Sequence, residues 1–512
     1  MVYNYFMNIK SASNHHDGTC CLLKNGQVDK HVIAERVNHI KHGKLCPETF
    51  RYFDEDMSDG VVSKIEDCHH IFHAAHSFYD SGFKYALCVV VDGMGCDLHL
   101  GPPIFHEGSA GRESISVFLF QYPCKNKLFY REVVVPFECN VHILDRGGYR
   151  GLNIKNNMRV TSTCSPAQMF EKTCTSIGMN WYDAGKLMAM ASYAKNDIEV
   201  NENDFVGFDL RSIELTKKLS SFQEQCDYAR SLQIKSQERV KDLILKSIED
   251  TGIKNVCLAG GYFLNCVSNT YVHKHLPRDV NVFIEPVCGD DGISIGLAKL
   301  RWYELTGSRR RFPLKNIYNG IPQEINVEGK RVSPKDVAQL LADRKVIGIF
   351  QSRSESGPRA LGNRSILYDP RDPNGRDKIN KLKGREDYRP LAATVLHEHA
   401  HKWFDMCNLK ESPYMLYTLD VLSDEVPAIM HVDRTCRVQT LKKSFNKHYY
   451  NLIKEFNHIT GVPLVLNTSL NLAGDTIAET VEDALHTLNN SEIDYLYFPE
   501  TNTLVAASQS GT

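Results

Sequence analysis

A mixed α/β and α+β protein of at least two domains is the fold this sequence predicts, and three features of its pattern carry that expectation. The first is a set of short, nearly continuous apolar runs, among them Tyr85–Val91 and Val256–Ala259, which read as strands buried on both faces. The second is the way such runs end. Asp92-Gly93, Gly260-Gly261 and Gly289-Asp290-Asp291-Gly292 each close one, and helical pattern comes after the last two, so a strand–glycine–helix module recurs. The third is the polar, aperiodic stretch GSRRRFPLKNIYNGIPQEINVEGKRVSPK, which contains Pro and Gly and divides the chain. The domains are therefore drawn at 1–310 and 336–512, with 311–335 as a linker; 512 residues are enough to give each a full core.

Composition narrows the class of function. Hydrophobic residues at 42% and charged residues at 24% are those of an ordinary globular protein, and a net charge of -2 argues against a broad nucleic-acid or membrane-binding face. No apolar run is long enough to span a bilayer, and MVYNYFMNIK lacks a signal peptide's apolar core. The sixteen cysteines form no C-x-x-C pair, so a reducing, cytoplasmic setting is expected. A homodimer is left open.

Taken in order, the chain begins with two strands, near Phe6–Lys10 and Thr19–Leu23, around the polar turn that holds His16 and Asp17. Asn25-Gly26 then signals a hairpin, and AERVNHIKHG, with Glu35, Arg36, Lys41 and His42, starts a helix or loop. KIEDCHHIFHAAHSFYD at Lys64–Asp80 reads as a helix, on which His69 and His73 project from one face, the spacing at which two imidazoles can share a metal. An isolated pair of this kind is more often two core or surface histidines. Here it precedes the strand that ends in Asp92, a carboxylate at the tip of a buried run. Further strands are expected at Ile115–Tyr122 and Leu128–Phe137, a helix at Pro166–Ile177, and a charged helical region over 211–250. Asp183 three residues before Lys186 is equally a helix-start salt bridge. Gly260-Gly261 before the helix that opens near Asn265 can set backbone amides against a phosphate.

Beyond the linker, Val346–Gln351 reads as a strand that feeds the most distinctive segment, Arg353–Pro390. Ten cations, Arg359, Lys383 and Arg389 among them, stand there between Gly, Pro and Asn turns, a composition suited to a pocket for a small polyanion. His397, His399 and His401 look like a metal cluster but are read as a solvated helix face, because no acid-tipped strand accompanies them. Pro463–Leu466 is a strand whose tip carries Asn467 and Ser469, groups able to bond both the C=O and the NH₂ of an amide-like ligand.

These motifs together resemble one family. SGPRALGNRSIL, D-P-R-D-P, K-x-R-E and R-P-x-A, then HVDRTCRVQ with Arg437 and NTSLN, are similar to the C-terminal domain of the NodU/CmcH-type O-carbamoyltransferases. HHIFHA, VDGMG, DAGKLM and LAGGYFLNCVSN resemble the N-terminal domain of the same family, and the match runs in order along nearly the whole chain. The resemblance implies a duplicated ASKHA (actin-like) fold for 1–310 and a YrdC-like fold for 336–512. It places His69, His73, Asp92 and Asp290 in the shell of a divalent metal, ferrous iron foremost, with manganese or zinc as alternatives. It places Arg359, Lys383, Arg389, Arg437, Asn467 and Ser469 around carbamoyl phosphate and ATP (with Mg), and Gly260, Gly261, Asn265 and Lys186 around an adenylate. His16, Asp183 and Lys41 are implied at the acceptor. The activity implied is formation of carbamoyl adenylate, then transfer of the carbamoyl group to a hydroxyl of a small molecule such as an antibiotic, sugar or nucleoside. Two other readings are a threonylcarbamoyl-type tRNA-modifying enzyme and a non-catalytic ASKHA ATP-binding protein. The first needs a broad basic surface, and the second has no use for the Arg353–Arg389 segment.

Overall fold

The computed structural model describes residues 7–14, 16–58, 60–63, 69–99, 110–135, 151–154, 158–206, 215 and 217–507. The chain divides into two compact units. The first is Met1–His15, Cys21–Asp29 and Asp56–Leu314, and the second is His16–Cys20, Lys30–Glu55 and Lys315–Thr512. Both are mixed α/β. Two stretches from early in the chain, 16–20 and 30–55, are thus grouped with residues three hundred positions later, which a single division at residue 310 did not anticipate.

The chain opens with β1 (Asn8–Ser13), β2 (Thr19–Lys24) and β3 (Gln27–Ile33). Asn25 and Gly26 join β2 to β3 with φ of 52° and 82°, the left-handed pair that a tight hairpin demands. Helices α1 (Ala34–Asn38) and α2 (Pro47–Phe53) follow, and β4 (Val61–Ser63) completes a sheet of order β3-β2-β1-β4. Helix α3 (His69–Ser81) comes next; the first turn expected at Lys64–Cys68 lies outside the described residues.

The main sheet of the first unit contains β5 (Tyr85–Val91), β6 (Asp97–His99), β7 (Ala110–Gln121), β8 (Lys125–Val134), β9 (Gly151–Ile154) and β10 (Met158–Thr161), joined by β11 (Asn255–Ala259) and β12 (Asn281–Ile284). Their order is β12-β11-β5-β7-β8-β10-β9, with β6 on β7. β5 is parallel to β11 and antiparallel to β7. Paired on both sides and covered on both faces, its Ala86–Val91 run is wholly apolar. The strand expected to reach Phe137 ends at Val134 among the described residues, and Phe137 lies outside them.

Helices α4 (Pro166–Ser176), α5 (Ala184–Met190), α6 (Phe222–Thr251), α7 (Cys266–His275) and α8 (Ile293–Thr306) complete this unit. The helix expected over 211–250 begins only at Phe222. Ser221 and Glu224 form a capping box there, and Gly252 ends the helix in the left-handed region; 211–214 and 216 lie outside the described residues. The core joins Phe72, Phe78 and Tyr79 of α3 to Trp302 and Tyr303 of α8, with Tyr79 stacked on Tyr303 at 4.1 Å between centroids.

In the second unit, β13 (Lys330–Arg331), α9 (Pro334–Ala342), β14 (Ile347–Phe350), β15 (Arg364–Tyr368), α10 (Gly375–Leu382), β16 (Ala392–Leu396) and α11 (Ala400–Trp403) come first. After them come β17 (Thr418–Asp420), β18 (Thr435–Leu441), α12 (Lys447–Thr460), β19 (Leu464–Ser469), α13 (Val481–Asn489), β20 (Tyr495–Phe498) and β21 (Thr503–Ala506). The sheet order is β13-β21-β20-β14-β15-β19-β16-β18-β17.

The three histidines read as one helix face do not share a helix: Ala392–Leu396 before them is an interior strand paired with both β18 and β19, His397–His399 make a single 3₁₀ turn, and only His401 lies in α11. Asn467 and Ser469 stand at the end of β19, which finishes at Ser469 and pairs there with β15.

Candidate functional site

In the first unit, helical period and strand ends bring four ligand atoms to one point. His69 and His73 stand one turn apart on α3, Asp92 follows the last residue of β5, and Asp290 follows β12. His69 Nε2 lies 3.1 Å from Asp92 Oδ2 and 3.5 Å from Asp290 Oδ1. His73 Nε2 lies 3.8 Å and 3.3 Å from the same two oxygens. All four side chains are buried, and one donor atom from each falls within 4.8 Å of the others. Asp290, not Asp291, joins the group.

The electrostatics of these residues fit a metal. Burial opposes a charge on His69, but Asp290 and then Asp92 outweigh it and lift the imidazole to about 9. Burial and Asp290 push the Asp92 carboxyl up, while His69 and His73 overcome them and hold it down to about 2. The group therefore calls for positive charge among its carboxylates. Buried His73 Nε2 makes no hydrogen bond, as a donor atom reserved for a cation would. Two imidazoles and two carboxylates form a set of borderline hardness suited to iron, manganese or zinc.

The Gly260-Gly261 turn supports this cluster directly. Gly260 has φ of 95°, and a Cβ there would fall 2.3 Å from Val91 O, so only glycine lets the turn pass so close to β5. That approach brings the Gly261 amide to donate to Asp92 Oδ1 at 2.7 Å, which leaves Oδ2 facing the histidines. The Asn265 carbonyl caps α7 by accepting from Ser268 N, and its amide donates to Gln233 Oε1. Lys186 pairs with Asp183 at 3.2 Å, the local salt bridge that their spacing allows.

Sequence reasoning missed Glu171. Helix α4 carries its carboxyl against the Asp92-Gly93 turn, where a Cβ on Gly93 would meet Oε1 at 2.7 Å. Loss of hydration, then Asp92 and Asp290, raises that carboxyl to about 8. The helix was legible, but nothing in its own sequence says that one of its residues faces a strand end some eighty positions earlier.

In the second unit, the cationic segment separates into structural and converging residues. Arg364 is fully buried, donates to the carbonyls of Gln351, Ser352, Asn363 and Glu479, and lies over Phe350. Arg371 is held by Asp369 through Nε and Nη2. Lys383 is different. It is 1% exposed, donates to Ser469 O, Ser469 Oγ and Asn471 Oδ1, and has no carboxylate among those partners. Burial, then Arg385, Arg389 and Lys41, push its ammonium well below the usual lysine value. Arg385 in turn feels Arg389 and Arg437, and donates to Thr468 Oγ1 at 3.2 Å. Asn467 donates to Ala360 O and Thr394 Oγ1, while its buried Oδ1 makes no hydrogen bond. Arg359 is half-buried in the loop between β14 and β15.

Lys41 and His16 are counted with the second unit. His42 Nδ1 meets Asp17 Oδ1 at 2.9 Å, His16 lies 3.4 Å from Asp17, and Glu35 accepts from the His42 amide. Gly18 makes this possible, because a Cβ there would fall 2.5 Å from Leu45 N where the two segments touch. Arg36 donates to the carbonyls of Glu355 and Gly357, which ties the same stretch to the SGPRALGN loop. Arg385 is the further member of the cationic group that sequence reasoning did not single out. The three groups with metal-ligand spacing among the described residues do not include His397, His399 or His401.

Comparison with known proteins gives the family of both halves of the chain. The family model described as "Carbamoyltransferase N-terminus" matches residues 56–299, and "Carbamoyltransferase C-terminus" matches residues 338–504. The chain is 30% identical to "Nodulation protein NolNO" of Sinorhizobium fredii, over 94% of this chain and 78% of the relative. It is 29% identical to "Nodulation protein NolO" of Bradyrhizobium diazoefficiens, over 84% of this chain and 77% of that one. A solved structure of full-length HypF in a phosphate- and nucleotide-bound form aligns with a TM-score of 0.35 at 15% identity, covering 59% of this chain and 47% of that chain. With both halves matched in order and most of a relative's length covered, the chain belongs to the carbamoyltransferase family and is a carbamoyltransferase.

Proposed function

We propose that this carbamoyltransferase acts on a hydroxyl group, with carbamoyl phosphate as donor and ATP as co-substrate. The observation that carries this reading is Lys383, an ammonium held below its usual value first by burial and then by Arg385, Arg389 and Lys41 around it. A phosphate or carboxylate placed there relieves that repulsion. Beside it, Ser469 and the unpartnered Oδ1 of Asn467 suit the NH₂ and C=O of a carbamoyl group. This reading gives the second unit a YrdC-like role and the first a duplicated ASKHA one.

In the second unit, carbamoyl phosphate and water give carbamate and inorganic phosphate. A carbamate oxygen then attacks the α-phosphorus of ATP, pyrophosphate leaves, and carbamoyl adenylate results. Lys383, Arg389, Arg359 and Arg437 neutralise the phosphates, with Arg385 added to them. In the transfer step the acceptor's hydroxyl oxygen attacks the carbamoyl carbon, and AMP departs with the electrons of the broken C–O bond. His16 and Asp183 are the candidates to take or orient the hydroxyl proton, and one is counted with each unit. Gly260, Gly261, Asn265 and Lys186 line the adenylate's place in the first unit. There the Gly261 amide acts through Asp92. His69, His73, Asp92 and Asp290 would hold a divalent metal, ferrous iron foremost, which supplies Lewis-acid stabilisation of charge on an oxygen. The acceptor is a small hydroxylated molecule.

The test is incubation with ATP, carbamoyl phosphate and a panel of hydroxylated acceptors. Mass spectrometry should find one added carbamoyl group, with AMP and pyrophosphate formed alongside. ATP turnover that ignores carbamoyl phosphate would refute the donor assignment.

A further inference from the structure

Helix α3 carries more titratable groups than the metal cluster uses. His69, His73, His76 and Asp80 succeed one another at steps of four, three and four, so one stripe of this buried helix is polar along its length. The lower half of the stripe meets two other elements. Glu285 lies just past β12, and Lys299 lies on α8. His76 is 2% exposed, Asp80 3%, Glu285 0% and Lys299 4%, so four ionisable groups share a space closed to water.

Their geometry is that of a ligand set. His76 Nε2 lies 3.1 Å from Asp80 Oδ2 and 3.4 Å from Glu285 Oε1. One donor atom from each of the three falls within 4.8 Å of the others. Metal bonds of about 2.1 Å separate neighbouring donors by about 3.0 Å in octahedral and about 3.4 Å in tetrahedral geometry. Lys299 bonds the other carboxylate oxygen, Asp80 Oδ1, and leaves Oδ2 to His76. Glu285 Oε2 is buried with no hydrogen-bond partner, while Oε1 accepts from the Val287 amide at 3.2 Å and faces His76.

We propose that His76, Asp80 and Glu285 are the ligands of a second divalent cation of the zinc, manganese and ferrous-iron class, with Lys299 orienting Asp80 from outside. A cation-bearing partner on the outer oxygen of a ligating carboxylate is how metal sites fix their ligands. Charge counting points the same way. Two buried carboxylates face one ammonium, and the excess negative charge requires a cation or a proton. The ion ties α3 to the end of β12 and, through Lys299, to α8. These elements also set His69, His73 and Asp290, so the second ion acts as a staple for the first cluster.

The experiment is metal stoichiometry on the full chain. Protein stripped with a chelator is equilibrated with Mn²⁺ or Zn²⁺, gel-filtered and analysed for metal. Two ions per chain are expected for the wild type, one for Asp92→Asn, one for Glu285→Gln, and none for the double variant. Glu285→Gln preserves shape and removes a carboxylate ligand. If that variant does not fold, His76→Gln replaces it, and the wild-type stoichiometry stands alone as a measure. One ion in the wild type that is lost in Asp92→Asn and kept in Glu285→Gln overturns the second site. One ion that is kept in Asp92→Asn and lost in Glu285→Gln supports it and instead removes the first cluster.

Discussion

Replacing Lys383 tests the anion site most directly, because this residue has both a structural and a chemical role to lose. Its ammonium donates to Ser469 O, Ser469 Oγ and Asn471 Oδ1, and its side chain is 1% exposed. Lys383→Ala removes the charge from a site where Arg385, Arg389 and Lys41 already gather. A charge-assisted hydrogen bond to a substrate phosphate is worth about 1.5–3 kcal/mol. At about 1.4 kcal/mol per tenfold, the expected loss in carbamoyl-adenylate formation is about 10- to 100-fold. The acceptors left behind cost about 1–3 kcal/mol of stability for each one that water does not reach. A unit of roughly two hundred residues then loses about 2–4 °C of Tm per kcal/mol. The two effects separate in the assay. Pyrophosphate release is followed with carbamoyl phosphate and ATP at a temperature where the variant is folded, and metal content is measured in the same sample. Metal should be unchanged and pyrophosphate release should fall. If Tm drops while pyrophosphate release stays within twofold of wild type, Lys383 is a structural lysine and the anion site lies elsewhere.

Two further outcomes are expected from the same geometry. His73→Ala should lose the ion of the first cluster and acceptor carbamoylation yet still release pyrophosphate, whereas His401→Ala, exposed on α11, should change none of these; elemental analysis with separate assays of AMP, pyrophosphate and product decides. Binding of an anionic substrate should draw protons from solution, because ligand-free Lys383 is held below its usual value and a neighbouring phosphate raises it. Affinity should therefore fall as pH rises from that depressed value toward the ordinary lysine value near 10.4, and calorimetry in buffers of different ionisation enthalpy should show proton uptake. Affinity that rises with pH across that window would contradict the assignment.

The sequence alone determined whatever depends on short-range period. His69 and His73 share a face because a helix turns every 3.6 residues, and Asp92 ends a strand because an apolar run stops there. The Gly260 turn and the cationic run on either side of Lys383 are equally local, and the family resemblance rests on such local patterns. Tertiary structure decided what depends on distant segments meeting. Interior pairing made Ala392–Leu396 a strand although the histidines after it have helical spacing. Placement of 30–55 with the second unit put Lys41 beside Lys383, and α4 turned Glu171 toward Asp92. Asp80 and Lys299 meet across 219 positions, a separation at which no repeat in the chain carries information. Secondary structure follows from neighbours a few residues apart, but which charges share a buried space is set only when the sheets pack, since the cost of leaving one unpaired arises only once water is excluded.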